Sequence, residues 1–192
     1  MTAMNILVIN GHPDPSPDRL TSALATAYGE GARAAGHQVK RIDIGALDFA
    51  VMRRAIEFET EPGEDAIIDA RAAILAARHI LFVYPLWLGG PPALLKAFME
   101  QVARHAFALD AGPHGLPAGK LKGRSARVIV TMGMPALAYQ LWFKAHGVKA
   151  FNGGILAIAG VKPIATTYFG GIGSARRGDL VERARRLGER GQ

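Results

Sequence analysis

Residues 80–96 contain a combination of residue types that suits the binding of a flat ligand. The apolar run Ile80–Tyr84 is typical of a buried strand, and Pro85 ends it. Trp87, two glycines and two prolines follow, and a helical pattern then begins. Because proline fixes φ and glycine lets a backbone come close, this segment is suited to hold one shape against an aromatic ring. We call Pro85–Pro91 the second loop, and its candidate contact residues are Pro85, Leu86, Trp87, Leu88 and Gly89. The alternative is an ordinary strand-to-helix turn with Trp87 buried in the core.

The first loop, Gly11–Thr21, has a composition that suits a phosphate. It follows the predicted strand Asn5–Asn10 and leads into a helical pattern. Backbone N–H groups at the start of a helix form a ready anion site, to which polar side chains can add hydrogen bonds or charge. The candidate phosphate ligands are His12, Ser16, Arg19 and Thr21. The loop lacks both the Walker lysine and the GxGxxG pattern, so neither of those nucleotide folds is supported. The alternative is a proline-rich turn with an Asp or Ser cap.

The third loop, Thr131–Tyr139, follows another apolar strand pattern. Gly133 allows a close backbone approach, and the neighbouring amides can donate hydrogen bonds to the carbonyl edge of a ring. Its candidate binding residues are Thr131, Met132, Gly133 and Met134. Tyr139 and His146 lie just downstream. Each alone is more typical of a structural residue, but together beside such a loop they suggest a relay for protons and charge.

The whole chain alternates between strand and helix patterns. We predict strands over Asn5–Asn10, Gln38–Ile44, Ile80–Tyr84, Ala126–Thr131 and Pro163–Phe169. We predict helices over Leu20–Ala35, Glu64–Ala77, Pro92–Arg104, Pro135–His146, Lys149–Ala159 and from Ser174 onward. The segment Leu47–Gly63 is predicted to be a surface excursion with a short helical piece, and Phe107–Gly123 a loop. Such alternation predicts one α/β domain over residues 1–192, with a five-stranded parallel sheet covered by helices on both faces.

In this architecture, the loops after the first, third and fourth predicted strands can converge at one edge of the sheet. The first suits a phosphate, the second the face of a ring, and the third the polar edge of that ring. Together they match the parts of a flavin nucleotide.

Composition narrows the chemistry further. The 192 residues suit a single domain and contain no cysteine, which excludes disulfides, zinc–thiolate sites and thiol redox chemistry. Electron transfer would therefore need a bound cofactor. The histidines show no metal-ligand spacing, so we expect no metal. The N-terminal residues predict a strand and not a signal peptide, and no apolar run is long enough to span a bilayer. We therefore expect a cytoplasmic protein.

The chain is basic, with a net charge of +7 and a pI of about 10.1. Much of the excess lies in the final segment, SARRGDLVERARRLGER, which also carries acidic residues. A solvated helix face explains this pattern, and an acidic partner such as nucleic acid or an anionic membrane is the alternative. No aromatic residue is interleaved with these charges and no nucleic-acid motif is present, so we expect no nucleic-acid binding.

The residues of the three loops resemble those of a known family. YPLWLGGPPALLKAF, Tyr84–Phe98, is similar to the isoalloxazine loop and following helix of the flavodoxin-like NAD(P)H:quinone oxidoreductases, the DT-diaphorase group. GHPDP at Gly11–Pro15 resembles the opening of their phosphate loop, and Arg19, Leu20 and Thr21 stand where the family has Ser, an apolar residue and Asn. The resemblance covers nearly the whole chain. The group includes bacterial quinone reductases, modulators of drug activity and ancillary reductases of potassium-efflux systems.

The resemblance implies a flavodoxin-like fold and a two-electron reductase. NAD(P)H would pass a hydride to a bound flavin, FAD on family grounds with FMN as the alternative, and a quinone or similar acceptor would then take it at the same place. Tyr139 and His146 fall where the family has its active-site Tyr and His. The family also implies a homodimer, since a second subunit completes its flavin edges. The candidate interface residues are Leu141, Trp142, Phe143 and Phe151, and the alternative is that these residues belong to the core.

Two other functions stay open. The chain could be an ancillary, regulatory subunit of a potassium-efflux transporter, which binds flavin but acts mainly by docking peripherally to that membrane protein. It could also be a flavodoxin-type electron carrier. Such carriers are generally acidic, however, whereas this chain is basic.

Overall fold

Five parallel strands form the central sheet, in the spatial order β2-β1-β3-β6-β7. The computed structural model describes residues 2–112, 117–173 and 175–191. The five strands are β1 (Asn5–Asn10), β2 (Gln38–Asp43), β3 (His79–Pro85), β6 (Ser125–Thr131) and β7 (Ile164–Phe169). Each agrees with its predicted segment to within a residue or so. From β1 the chain runs first to β2 on one side and then crosses to β3 on the other side. Because the direction of the strand order reverses there, the carboxyl ends of β1 and β3 border a crevice.

Helices cover both faces of the sheet, as the alternating pattern predicts. Their bounds are α1 (Leu20–Ala34), α2 (Ala55–Glu59), α3 (Asp65–Ala76), α4 (Ala93–Ala103), α5 (Ala136–Leu141), α6 (His146–Phe151) and α7 (Arg177–Glu189). Helices α1 and α7 pack on one face, with Tyr28 and Leu180 in the core there. Helices α3, α4 and α6 pack on the other face, where Ile74, Phe98 and Phe151 lie in the core.

Two segments differ from the sequence-based prediction. The predicted loop Phe107–Gly123 contains two short antiparallel strands, β4 (Leu109–Ala111) and β5 (Pro117–Gly119). Such short strands contain too few residues to show an alternating pattern. The predicted helices Pro135–His146 and Lys149–Ala159 are also wrong in their boundary: the break falls earlier, and α6 begins at His146 and continues into a π-helical turn, Asn152–Ala157.

The break lies at two residues with left-handed backbone. Lys144 and Ala145 both have φ near +51°. This backbone conformation is unfavourable for residues other than glycine, so the surrounding structure must hold it in place. The constraint lies in the next residues, because α6 must bring Gly147 against the second loop, as described below.

The final helix supports the solvated-face interpretation of its charges. Arg185 pairs with Glu30 of α1 at 2.7 Å, and Arg186 pairs with Glu182 at 3.0 Å on the same helix. These two arginines of the basic tail are therefore paired with carboxylates on the surface. Among the described residues, no helix is both long and apolar enough to cross a membrane.

Candidate functional site

The three loops begin side by side at one edge of the sheet, as predicted. In the parallel register, Asn10 lies opposite Val83 and Pro85 lies opposite Thr131. Two backbone hydrogen bonds continue the ladder into the loops, from the Gly11 N–H to the Val83 carbonyl at 2.7 Å and from the Leu86 N–H to the Thr131 carbonyl at 2.8 Å. The loops therefore leave the sheet together at the position where ligands bind in this architecture.

The first loop holds its own shape by short-range hydrogen bonds. The Asp14 N–H donates to Nδ1 of His12, the Ser16 N–H donates to Oδ1 of Asp14, and the Asp18 N–H donates to Oγ of Ser16. Arg19 donates from Nε to Oδ2 of Asp14 at 2.6 Å. The guanidinium predicted to neutralise a phosphate is therefore paired with a carboxylate, and its contribution to an anion site is reduced.

The start of α1 nevertheless suits an anion. No side chain caps this helix and its first turn has no acidic residue, so the N–H groups there remain available. Thr21 is almost fully buried, and its Oγ1 has no hydrogen-bond partner among the described residues. A buried hydroxyl without a partner is costly, which makes Thr21 a candidate ligand-binding residue at the start of α1. Leu20, the second residue of the predicted triplet, is partly buried beside it.

His12 adds a further donor to the first loop. Burial lowers the pKa of His12, so its ring is neutral at pH 7. Because Nδ1 accepts the Asp14 N–H, the ring proton lies on Nε2. The first loop therefore offers a neutral imidazole donor, a threonine hydroxyl and a free helix N-terminus, a set that fits a phosphate.

The second loop forms a tight hairpin at its tip. Trp87 and Gly90 exchange backbone hydrogen bonds of 2.9 and 3.0 Å, and the two residues between them have positive φ, +47° for Leu88 and +83° for Gly89. Leu88 is fully exposed and Trp87 is 48% exposed, and the centre of the Trp87 ring lies 5.7 Å from that of His12. The alternative of a core Trp87 is therefore wrong, and the loop presents apolar side chains beside the first loop.

Tyr139 and Gly147 both lie against the Gly89 carbonyl of this hairpin. Tyr139 is only 1% exposed and donates its hydroxyl hydrogen to the Gly89 carbonyl at 2.8 Å. Burial raises the pKa of Tyr139, and the amides of Gly147 and Val148 partly offset this effect. Gly147 lies so close that a Cβ there would be 2.0 Å from the Gly89 oxygen. Only glycine fits between α6 and the hairpin, which accounts for the strained backbone just before α6.

The third loop turns its backbone toward the same edge. Thr131 and Met132 are buried, whereas Gly133 and Met134 are exposed. The Met134 carbonyl accepts a hydrogen bond from the Gly171 N–H at 2.9 Å, which ties this loop to the end of β7. The N–H groups of Gly133 and Met134 form no hydrogen bond within the described residues, and a Cβ on Gly133 would meet nothing within 4 Å. These amides are thus free to donate to a ring edge.

An exposed apolar group, which we call the apolar rim, follows the third loop along the chain. Its exposed members on the α5 segment are Leu137, Leu141, Trp142 and Phe143, and Trp142 is 85% exposed. Phe151, in contrast, is 1% exposed and packs its ring 5.3 Å from that of Phe82, so its assignment to an interface is wrong. The phase of the helix changes at the break before α6, which turns Phe151 into the core.

His146 is exposed at the first residue of α6, next to Gly147. The described residues show no hydrogen bond between His146 and Tyr139, whose hydroxyl donates to Gly89 instead. The structure thus brings Tyr139 onto the second loop and leaves His146 exposed one residue before Gly147, which also contacts that loop. The relay between them stays a prediction. The described residues contain no cluster of histidines and carboxylates that could hold a metal ion.

A polar network behind the first loop was not predicted from the sequence. Asn10, fully buried at the end of β1, donates from Nδ2 to Oδ1 of Asp43 at 2.8 Å and accepts the His12 N–H through its own Oδ1. Arg41 binds both carboxylate oxygens of Asp43. Asn10, a polar residue directly after the apolar run Ile6–Ile9, was the available signal. The loop is also close to Gly45, where a Cβ would lie 2.2 Å from the Pro13 carbonyl.

The strand order and this site define a flavodoxin-like α/β protein. Residues 4–190 match the Flavodoxin_2 family, which has the flavodoxin-like fold, and the chain belongs to that family. A Haemophilus influenzae protein described as an uncharacterized NAD(P)H oxidoreductase is 28% identical over 177 residues, which span 88% of this chain and 85% of that protein. An FMN-dependent NADH:quinone oxidoreductase of Bordetella avium is 36% identical over 73 residues, or 38% of this chain and 36% of that protein.

The fold is also found among solved structures. The NAD(P)H:quinone oxidoreductase from Methanothermobacter marburgensis superposes with a TM-score of 0.83 at 22% identity, over 98% of this chain and 96% of that one. This likeness establishes the fold, and the family match agrees with the resemblance noted from the loop residues.

Proposed function

We propose that this protein is a flavin-dependent NAD(P)H:quinone oxidoreductase. The observation that carries the proposal is that three loops with different binding groups converge at the edge of the sheet where β1, β3 and β6 end. One offers unpartnered anion donors, one an exposed apolar hairpin, and one free backbone amides. The names of the Haemophilus influenzae and Bordetella avium relatives agree with this activity.

The first loop is the proposed phosphate site. The Nε2–H of His12, the Thr21 hydroxyl and the N–H groups that open α1 would bind the flavin phosphate, with Ser16 as a secondary ligand. These donors of the first loop suffice for a single phosphate group, as in FMN. The Bordetella avium relative is described as FMN-dependent. The expectation of FAD has no comparable support, and FMN is the flavin we assign.

The second and third loops are the proposed ring site. Trp87 and Leu88 would lie against the ring, and the amides of Gly133 and Met134 would donate to its polar edge. A bound flavin supplies the redox chemistry, because it can accept a hydride equivalent from NAD(P)H and deliver it to a quinone. The free amides would stabilise negative charge at the ring edge, where a hydrogen bond to a charged group contributes about 1.5–3 kcal/mol.

Tyr139 and His146 have separate proposed tasks. Tyr139 would position the second loop through its bond to the Gly89 carbonyl, in addition to any effect on the ring's charge. His146, exposed beside the loop, is the residue available to exchange a proton with solvent or acceptor.

The apolar rim is the proposed contact surface for a second subunit. Leu137, Leu141, Trp142 and Phe143 form an exposed apolar group next to the ring site, a feature that in soluble proteins marks an interaction surface. A homodimer would cover this rim and narrow the opening to a size suited to a quinone. The transporter alternative has no support among the relatives named above, and a cytoplasmic location stays an expectation.

A visible absorption spectrum of the purified protein tests the proposal. We expect an oxidised-flavin spectrum that bleaches when NADPH is added without air and returns when a quinone is added. Chromatography of the released cofactor would then distinguish FMN from FAD. A colourless protein that also fails to bind added FMN or FAD would overturn the proposal.

A further inference from the structure

One ion pair on β2 connects to both ends of the first loop. The Arg41 guanidinium binds both carboxylate oxygens of Asp43, from Nε to Oδ2 at 2.8 Å and from Nη2 to Oδ1 at 2.6 Å. The two side chains are only 26% and 28% exposed. Because two parallel hydrogen bonds fix the orientation of both groups, the pair can hold a defined position for the residues that it contacts next.

The carboxylate of this pair orients the opening of the loop. Asp43 and Asn10 are partners in the parallel register of β2 and β1, and Asn10 is fully buried. Asn10 donates from Nδ2 to Oδ1 of Asp43 at 2.8 Å, and its own Oδ1 accepts the His12 N–H at 3.3 Å. A carboxylate only accepts hydrogen bonds, so it faces the Nδ2 end of the amide and leaves the Oδ1 end for His12. Asp43 thereby sets the backbone that carries the His12 ring.

The guanidinium of the pair orients the other end of the loop, where α1 begins. Nη2 of Arg41 donates to Oγ of Ser22 at 2.9 Å, and Nη1 donates to Oγ1 of Thr26 at 2.6 Å, one turn further along the helix. Ser22 is 5% exposed and directly follows Thr21, the proposed phosphate ligand. Arg41 thus ties the first two turns of α1 to the end of β2.

Helix α1 has other attachments to the rest of the molecule. Leu24 and Tyr28 are fully buried in the core, and Glu30, near the end of α1, pairs with Arg185 of α7 at 2.7 Å. An ion pair between partly exposed side chains also contributes little to the free energy of unfolding. Loss of the Arg41–Asp43 pair should therefore leave the fold intact and change mainly the geometry of the first loop.

We propose that Asp43 is a positioning residue for the phosphate of bound FMN, which acts through Asn10 and Arg41 on the two ends of the first loop. This role rests on the proposed function and assigns a residue outside the three loops. It differs in sign from an effect of charge alone. A carboxylate repels a phosphate, so removal of its negative charge would by itself tighten phosphate binding. Positioning predicts weaker binding instead.

Paired titrations with FMN and riboflavin test this role, because riboflavin has the same ring without the phosphate. Asp43→Asn keeps the side-chain shape but leaves one acceptor oxygen for the three hydrogen bonds from Arg41 and Asn10. We expect the Kd for FMN to rise about 5- to 10-fold and the Kd for riboflavin to change less than about twofold. The matched control is Glu30→Gln, which removes the carboxylate that pairs with Arg185. It should bind both flavins as the unaltered protein does.

A second variant interrupts only the connection to α1. Ser22→Ala removes the hydroxyl that accepts from Arg41 and should raise the Kd for FMN about two- to fivefold, again without a matching change for riboflavin. This variant gives the same test if Asp43→Asn does not fold. A measurement without flavin checks the positions directly: amide hydrogen exchange over Gly11–Thr21 should become faster in Asp43→Asn and not in Glu30→Gln.

Three results would overturn the positioning role. Equal weakening of FMN and riboflavin would mean that Asp43 supports the fold of the site in general. Unchanged or tighter FMN binding would mean that Asp43 acts through its charge or has no effect. Unchanged hydrogen exchange in the loop would mean that the ion pair does not hold it. An unaltered protein that binds neither flavin would instead contradict the proposed function, and the positioning role with it.

Discussion

Replacing Tyr139 by Phe removes one hydroxyl from behind the second loop and little else. In the intact protein this hydroxyl donates to the Gly89 carbonyl at 2.8 Å from a residue that is 1% exposed. Phe keeps the ring and its packing against Phe143 and Tyr168, whose ring centres lie 6.3 and 6.1 Å away. The variant therefore loosens the hairpin while the surrounding core stays filled.

The size of the effect follows from the exposure of the group left behind. Gly89 is exposed, so water can replace the lost donor at its carbonyl, and the net loss is that of an ordinary hydrogen bond, about 0.5–1.5 kcal/mol. If the loosened hairpin binds flavin only in its ordered form, the apparent Kd rises in proportion to the lost population. Since every 1.4 kcal/mol is a factor of ten, the Kd for FMN should rise about 2- to 13-fold.

Two measurements on the same protein separate positioning from chemistry. Quenching of flavin fluorescence gives the Kd, and stopped-flow absorbance gives the rate at which NADPH bleaches the loaded fraction. Positioning predicts a weaker Kd with a bleaching rate within about threefold of the unaltered protein, once flavin is saturating. Tyr168→Phe is the matched control, because it makes the same change in a neighbouring ring, and it should alter neither quantity.

One outcome would refute the positioning role. An unchanged Kd together with a bleaching rate reduced ten- to a hundredfold would mean that the hydroxyl acts on charge at the ring, as the resemblance implies. If neither quantity changes, Tyr139 has no functional role at this site.

Four further predictions follow from the same contacts. His12→Ala removes the neutral Nε2 donor and should raise the Kd for FMN about 5- to 10-fold in a fluorescence titration, with the loaded fraction reacting at its usual rate. Gly147→Ala forces a Cβ into the second loop and should cost about 1–3 kcal/mol, or roughly 2–12 °C in Tm, whereas Gly153→Ala, with open space around it, should not. Because burial lowers the pKa of His79 to about 4 in the folded protein, against 6.5 otherwise, the free energy of unfolding should fall by about 3 kcal/mol as the pH drops from 6.5 to 4, and His79→Gln should remove most of that slope. Trp142→Ser should convert a dimer to a monomer of 20.4 kDa in light scattering, and a monomeric unaltered protein would contradict the proposed interface.

The fold class could be predicted from sequence because its signals are local. Apolar runs such as Ile80–Tyr84, closed by proline or glycine, mark strands whatever surrounds them, and their alternation with helical patterns permits few topologies. The composition of the first and second loops also indicated a nucleotide site, since glycine and proline act through backbone conformation near their own positions.

Pairings between distant residues could not be predicted in this way. Tyr139 and Gly89 are 50 positions apart, and nothing local in the sequence of either one identifies the other. Arg19 was expected on a phosphate, yet Asp14 within the same loop holds it. Whether a charged side chain meets a ligand or a neighbour depends on how the loop closes, which its composition does not decide.

Exposure was decided only by the tertiary structure. Trp142 and Phe151 lie in neighbouring apolar segments of the sequence, yet one is 85% exposed and the other 1%. The left-handed break at Lys144 and Ala145 separates them and resets the helical phase. That break exists because α6 must bring a glycine against the second loop, fifty-eight positions earlier in the chain. The sequence by itself thus determined the order of the elements and the kind of loops they carry. The packing of segments that are distant in sequence determined which side chains face the site, because these segments come into contact only in the folded chain.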